Sequence, residues 1–155
     1  MRISLLAIGN KLPRWINEGV EEYLKRFPAS CYLDVVEIPA EKRSKQSDIK
    51  RLIEREGEKL LAAIKPGNRV IALAVKGQSW STEKLADHIK QWQSEGRHID
   101  LLVGGADGLS ADCLKKADTH WSLSPLTLPH GLVRIIVAEQ LYRAVSILQN
   151  HPYHR

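Results

Sequence analysis

Strand-length apolar runs alternate along this chain with segments whose apolar residues recur every three or four positions. That alternation restricts the chain to βαβ units, an α/β class with a mostly parallel sheet and helices on both faces. Residues 2–8 form a short apolar run broken by Gly9, the pattern of a buried strand. Pro13 suits a first helical position, and Ile16, Val20, Tyr23, Leu24 and Phe27 follow at helical spacing up to Pro28. A second strand is expected over 32–38, then a polar, basic loop over 40–47. Ser47 or Asp48 can cap a helix carrying Ile49, Leu52, Ile53, Leu60, Leu61 and Ile64, weakened in its middle by Gly57. The third strand is expected over 69–75, after the Pro66-Gly67-Asn68 turn. Ser81 caps a helix with Leu85, Ile89 and Trp92 on one face, stopped by Gly96. A fourth strand over 99–103, a short helix over 110–117, a short strand over 121–123 and a last helix from Leu132 to about Leu148 complete the reading.

At 155 residues the chain fits a single domain, 1–155. Apolar residues at 43% and charged residues at 26% exclude wholesale disorder. The longest apolar run, Val70 to Val75, is far short of the ~20 residues of a membrane span. The first residues run into Lys11 and Pro13 without a small-residue cleavage site, so they read as a strand rather than a signal peptide. Two cysteines, Cys31 and Cys113, make neither a disulfide framework nor a zinc site. The setting expected is reducing and cytoplasmic, with no metal and no membrane. A net charge of +5 suits either simple solubility or a polyanionic partner.

Four constellations could carry chemistry. Gly104-Gly105-Ala106-Asp107-Gly108 follows an expected strand and precedes a helix, where open α/β sheets bind ligands. It fits a tight turn equally well. A dinucleotide site would need an acidic residue roughly 20 positions on, and Ser124 stands there. The second is the loop Leu123-Ser124-Pro125-Leu126-Thr127-Leu128-Pro129: two prolines stiffen it, and its leucines could wall a slot for a flat ring or simply join the core. The third is the C-terminal end, with His130, Arg134, Glu139, Tyr142 and Arg143, then His151, Tyr153, His154 and Arg155. Glu139 and Arg143 could be only an i,i+4 ion pair. The fourth is the basic cluster Lys42, Arg43, Lys45, Lys50, Arg51 and Arg55, a solvated helix face or a phosphate-tracking patch.

Taken in order, the opening strand with Gly9 and Pro13-Arg14-Trp15, the stretch Tyr23-Leu24-Lys25-Arg26-Phe27-Pro28, Glu37-Ile38-Pro39-Ala40, Leu102 to Ser110, Trp121 to His130, Leu132-Val133-Arg134, Ala138 to Ala144 and the tail His151-Pro152-Tyr153-His154-Arg155 resemble, end to end, the RlmH (YbeA-like) large-subunit rRNA methyltransferases of the SPOUT superfamily. The resemblance implies a trefoil-knotted SPOUT fold and a homodimer. It implies S-adenosylmethionine-dependent methylation at N3 of a pseudouridine in the decoding-centre hairpin of 23S rRNA of the large ribosomal subunit. The ribosome is the implied partner, with free rRNA, large subunit and assembled ribosome all open as the substrate form. By motif it places cofactor binding at Leu73 after the third strand, at Gly104 and Gly105, and at Leu123, Ser124, Pro125, Leu126, Thr127 and Leu128. The two glycines would leave room for the cofactor. His130, Tyr153 and His154 have the chemistry to handle the imide proton, and Arg134 and Arg143 to hold a phosphate or a developing anion. Lys42, Arg43, Lys45 and Arg155 are the expected rRNA contacts. The other possibilities are a basic ribosome-binding protein with a cofactor cleft and no turnover, and a nucleotide-binding oxidoreductase, which the missing ribose acid disfavours.

Overall fold

The computed structural model describes residues 1–155. Its elements are β1 (Arg2–Ile8), α1 (Arg14–Leu24), β2 (Tyr32–Ile38), α2 (Ile49–Ala63), β3 (Arg69–Ser79), α3 (Thr82–Glu95), β4 (Ile99–Val103), α4 (Ala111–Lys116), β5 (Thr119–Ser122) and α5 (His130–Leu148). The five strands form one sheet in the order β2-β1-β4-β3-β5, and every neighbouring pair is parallel. Period-two alternation explains how β1 serves both faces. Ile3, Leu5 and Ala7 join a core with Leu85, Ile89, Val137 and Leu141 of α3 and α5. Leu6 and Ile8 point the other way, into a smaller core with Leu60 of α2 and Cys113 of α4.

Four boundaries differ from those the sequence predicts. Helix α1 stops at Leu24 with Lys25 as its cap, and Phe27 instead packs edge-on against Tyr142, ring centroids 5.7 Å apart. Strand β3 continues past Val75 to Ser79, with a register break against β5 between Leu73 and Gln78. Gly77 permits the close return, since a Cβ there would stand 2.7 Å from the His120 carbonyl. Leu73 therefore lies in a strand, at its bulge, not in a loop after it. Strand β5 begins at Thr119, and α5 begins at His130, directly after Pro129.

Gly57 has a packing role that propensity does not reveal. It is buried on α2, and a Cβ there would fall 2.2 Å from Ser110 Oγ and 3.4 Å from Cys113 Sγ. Ser110 caps α4 by accepting the Cys113 N–H, so the glycine lets the cap of one helix rest on the backbone of another. On the opposite face of the sheet, His88 lies between Trp80 and Trp92, with centroid separations of 4.0 and 5.7 Å. Burial, reinforced by the nearby charge of Lys84, holds the His88 imidazole below its ordinary range.

Two outcomes follow from this packing. Gly57→Ala, which helix propensity alone would favour by up to about 1 kcal/mol, should instead lower stability by about 1–3 kcal/mol through overpacking; an unchanged or raised urea midpoint would contradict this. His88 folds neutral, so the unfolded chain binds its proton first: stability is intact above the ordinary value of 6.5 and declines as pH falls below it. His88→Phe should remove part of that decline when urea unfolding is followed as a function of pH.

Candidate functional site

After β1 the chain turns back to β2, whereas after β4 it crosses beyond β3 to β5. Connections that depart in opposite directions open a crevice at the carboxyl ends of the strands. A cavity of about 590 Å³ lies one strand over, at the carboxyl ends of β4 and β3, within the range of small-molecule sites. Its walls bring together three separated pieces of sequence: Leu73 at the β3 bulge, the turn from Gly104 to Leu109, and the loop from Leu123 to His130. Of the nine residues expected at a cofactor, Leu73, Gly104, Gly105, Leu123, Ser124, Leu126, Thr127 and Leu128 line this one cavity, and Pro125 does not. Leu126 is 69% exposed and forms part of the cavity rim. The Ser124 hydroxyl accepts the Leu126 N–H at 3.0 Å, and Ser122 Oγ donates to the Ser124 carbonyl at 3.2 Å, so the loop is braced internally.

The glycines act differently from expectation. A Cβ on Gly104 would meet the Gly108 carbonyl oxygen at 2.6 Å, so that space belongs to the turn itself and not to a ligand. Gly108 has φ +85° and closes the turn through its N–H to the Gly105 carbonyl at 3.1 Å. A Cβ on Gly105 would lie 3.0 Å from Ile8 Cγ2 and 3.1 Å from Glu56 Oε1. These glycines let the turn close on itself and sit low on β1 and α2.

His130 and Arg134 stand one turn apart at the start of α5. The Arg134 side chain is 2% exposed and donates to Glu37 Oε2 at 2.7 Å, the Gly9 carbonyl at 2.6 Å and the Ile8 carbonyl at 3.3 Å. It is a strut between α5 and the ends of β1 and β2, and its donors do not face the cavity, which corrects the expectation of an open anion ligand. His130 lines the cavity, and its Nε2 is buried without a hydrogen-bond partner. Burial first, and the Arg134 charge second, hold its pKa below the ordinary imidazole value. The ring is therefore neutral at neutral pH.

The tail is folded back on α5, away from this cavity. Tyr153 packs edge-on against Tyr142 with centroids 4.8 Å apart, lies 4.7 Å under the Arg143 guanidinium and donates to Glu139 Oε1 at 3.2 Å. Burial, with Tyr23 and Glu139 close by, raises its phenol pKa, so it remains protonated. Arg143 also donates to Glu139, through Nε at 2.7 Å. It donates to His154 Nδ1 at 3.3 Å, which leaves the proton on Nε2, 3.3 Å from Glu83 Oε1. Arg155 is exposed. The span from His130 to Arg143 along one helix is about 20 Å, so within one chain Arg143, Tyr153 and His154 are not gathered with His130.

Lys42 and Lys45 are exposed, as a phosphate-contacting segment requires, whereas Arg43 is not free. Its guanidinium binds Glu56 through both terminal nitrogens, at 2.9 and 3.0 Å, and Asp107 through Nε at 2.8 Å. Glu56 is not among the residues that sequence reasoning singles out, and Asp107 enters there only as a member of the glycine turn, with no role of its own. Glu56 does leave a signal: it occupies the apolar stripe of α2, four positions from both Leu52 and Leu60, where a carboxylate needs a buried partner. The pairing of Asp107 leaves none, because its partner lies 64 positions away.

The matching family model, described as "Predicted SPOUT methyltransferase", covers residues 1–154. A protein of Marinomonas sp. (strain MWYL1) named ribosomal RNA large subunit methyltransferase H is 52% identical over 155 residues, all of both chains. Among solved structures, a probable methylase family protein from Haemophilus influenzae Rd KW20 aligns with TM-score 0.58 over 99% of this chain and 70% of its own, at 13% identity. TrmJ from Z. mobilis ZM4 aligns with TM-score 0.52 over 92% of this chain and 69% of its own, at 16% identity. These two likenesses concern the fold. The family match, together with the crevice at the carboxyl ends of a parallel sheet, leads to one conclusion: the chain belongs to the SPOUT methyltransferase family.

Proposed function

We propose that this protein transfers a methyl group from S-adenosylmethionine to N3 of a pseudouridine in the decoding-centre hairpin of 23S rRNA. The observation that carries the reading is the cavity assembled from Leu73, the 104–109 turn and the 123–130 loop, in a chain that matches a large-subunit rRNA methyltransferase along its whole length. The cavity suits the cofactor in its apolar leucine walls, its backbone-lined lip and its volume. When bound, the cofactor supplies an activated methyl group on a sulfonium, and no group of three or more metal-ligating side chains is present.

The chain's own residues have two roles. They hold the base in line with the methyl group, and they receive the imide proton as the nitrogen attacks. His130 suits the second role, because it borders the cavity and is neutral at neutral pH. Tyr153, His154, Arg143 and Arg155 complete the RNA side of the site from a second copy of the chain, since one chain holds its tail far from its own cavity. The protein thus works as a knotted homodimer in the cytoplasm, with Lys42 and Lys45 on rRNA phosphates. The half-buried Leu132, Ile135 and Ile136 on α5 suit a partner surface.

The test is methyl transfer from S-adenosylmethionine, with a chelator present, to free 23S rRNA, to large subunits and to assembled ribosomes. Methylation of at least one of these at N3 of a pseudouridine is the expected result. Binding to ribosomes without transfer to any of them would favour a non-catalytic ribosome-binding protein. Ending the chain after Asn150 should leave a dimer by light scattering and retain cofactor binding by calorimetry, yet abolish transfer. A truncated protein that methylates at the full rate would remove the tail from the site and leave proton handling to His130.

A further inference from the structure

The sequence places Arg43 in a basic cluster, but its surroundings set it apart from Lys42 and Lys45. Four hydrogen bonds fix its guanidinium: to Glu56 Oε1 and Oε2, to Asp107 Oδ2 and to the Glu41 carbonyl, all between 2.8 and 3.0 Å. Glu56 Oε2 also accepts the Glu41 N–H at 3.0 Å. The Glu56 side chain is 2% exposed, whereas that of Asp107 is 34% exposed and borders the cavity. One planar cation therefore joins three pieces of chain: the 40–47 loop, the buried face of α2 and the tip of the 104–109 turn. Only a guanidinium can fork onto one carboxylate and reach a second at the same time. Without it, two carboxylates would face each other across the turn, and the buried one would lose its counter-charge.

We propose that Arg43 is a positioning residue, which fastens the 104–109 turn through Asp107 to the buried carboxylate of Glu56 and thereby sets the affinity of the cavity for its cofactor. This rests on the S-adenosylmethionine reading of the cavity. Arg43 then contributes little to phosphate binding, although it lies between Lys42 and Lys45, the exposed lysines assigned above to rRNA phosphates.

The test compares Arg43→Met, Asp107→Ala and the pair in the full-length protein. Three readouts are taken: amide hydrogen exchange of residues 104–109 without cofactor, S-adenosylmethionine affinity and KM, and the salt dependence of 23S rRNA binding. Both single variants should speed exchange in the turn. Asp107→Ala should weaken the cofactor about tenfold, the loss of one charge-assisted hydrogen bond, and Arg43→Met, which also unpairs Glu56, at least as much. KM for the cofactor should rise with kcat near wild type. The double variant should be no weaker than the worse single, because the two residues act through one contact. Arg43→Lys should restore part of the affinity. The salt slope of Arg43→Met should match wild type, while Lys42→Gln with Lys45→Gln lowers it by about one counterion per lost contact.

The proposal is overturned if Arg43→Met leaves exchange and cofactor affinity unchanged but flattens the salt slope. Should Arg43→Met fail to fold, Asp107→Ala decides alone, since it leaves no buried charge unpaired; unchanged exchange at 104–109 would sink the idea. A wild-type protein that binds no S-adenosylmethionine, with exchange still faster in Asp107→Ala, would keep the fastening and discard the cofactor reading.

Discussion

The carboxyl-end architecture depends on one buried cation. Arg134 reaches from α5 to the Ile8 and Gly9 carbonyls and to Glu37, at the points where β1 and β2 end. An uncompensated charge in that position would cost several kcal/mol, so α5 has one acceptable seating on the sheet. That seating fixes His130 one turn earlier on the same helix, against Gly9 and the cavity. The Arg134 charge also depresses the His130 pKa, so a structural ion pair tunes its neighbour's chemistry.

A second cation plays a related part on the other wall. Arg43 ties Asp107 to Glu56, and the turn it holds is made compact by Gly104 and Gly105. Both walls are thus set by guanidinium groups reaching between distant pieces of chain, while the cavity surface itself is mostly leucine, valine and backbone. Most of the charge lies in the scaffold, with Asp107 alone bringing a carboxylate to the border of the cavity.

The tail shows a different logic. Tyr153 and His154 are anchored by Tyr142, Arg143, Glu139 and Glu83, so their chemistry is displayed from the far end of α5. A chain that used these groups beside its cavity would have to obtain them from a second copy.

The sequence by itself determined the alternation of strands and helices, because period two and period 3.6 are local patterns. The strand ends at Gly9 and Gly104 and the helix caps at Asp48, Ser81 and Ser110 are equally local chemistry, and they were legible. So were the three pieces of the cavity, as motifs carried by family resemblance. The strand order β2-β1-β4-β3-β5 was not legible, since it depends on which strands pair across long crossovers. Nor were the roles of charged residues. Arg43 and Arg134 read as open cations, and Gly57 as a weak point in a helix, because a side chain's partners 13, 64 or 97 positions away leave no trace in local spacing. Only tertiary packing decides whether a guanidinium meets solvent or carboxylates and carbonyls of distant segments, and here that decision gave two expected ligands a scaffold role.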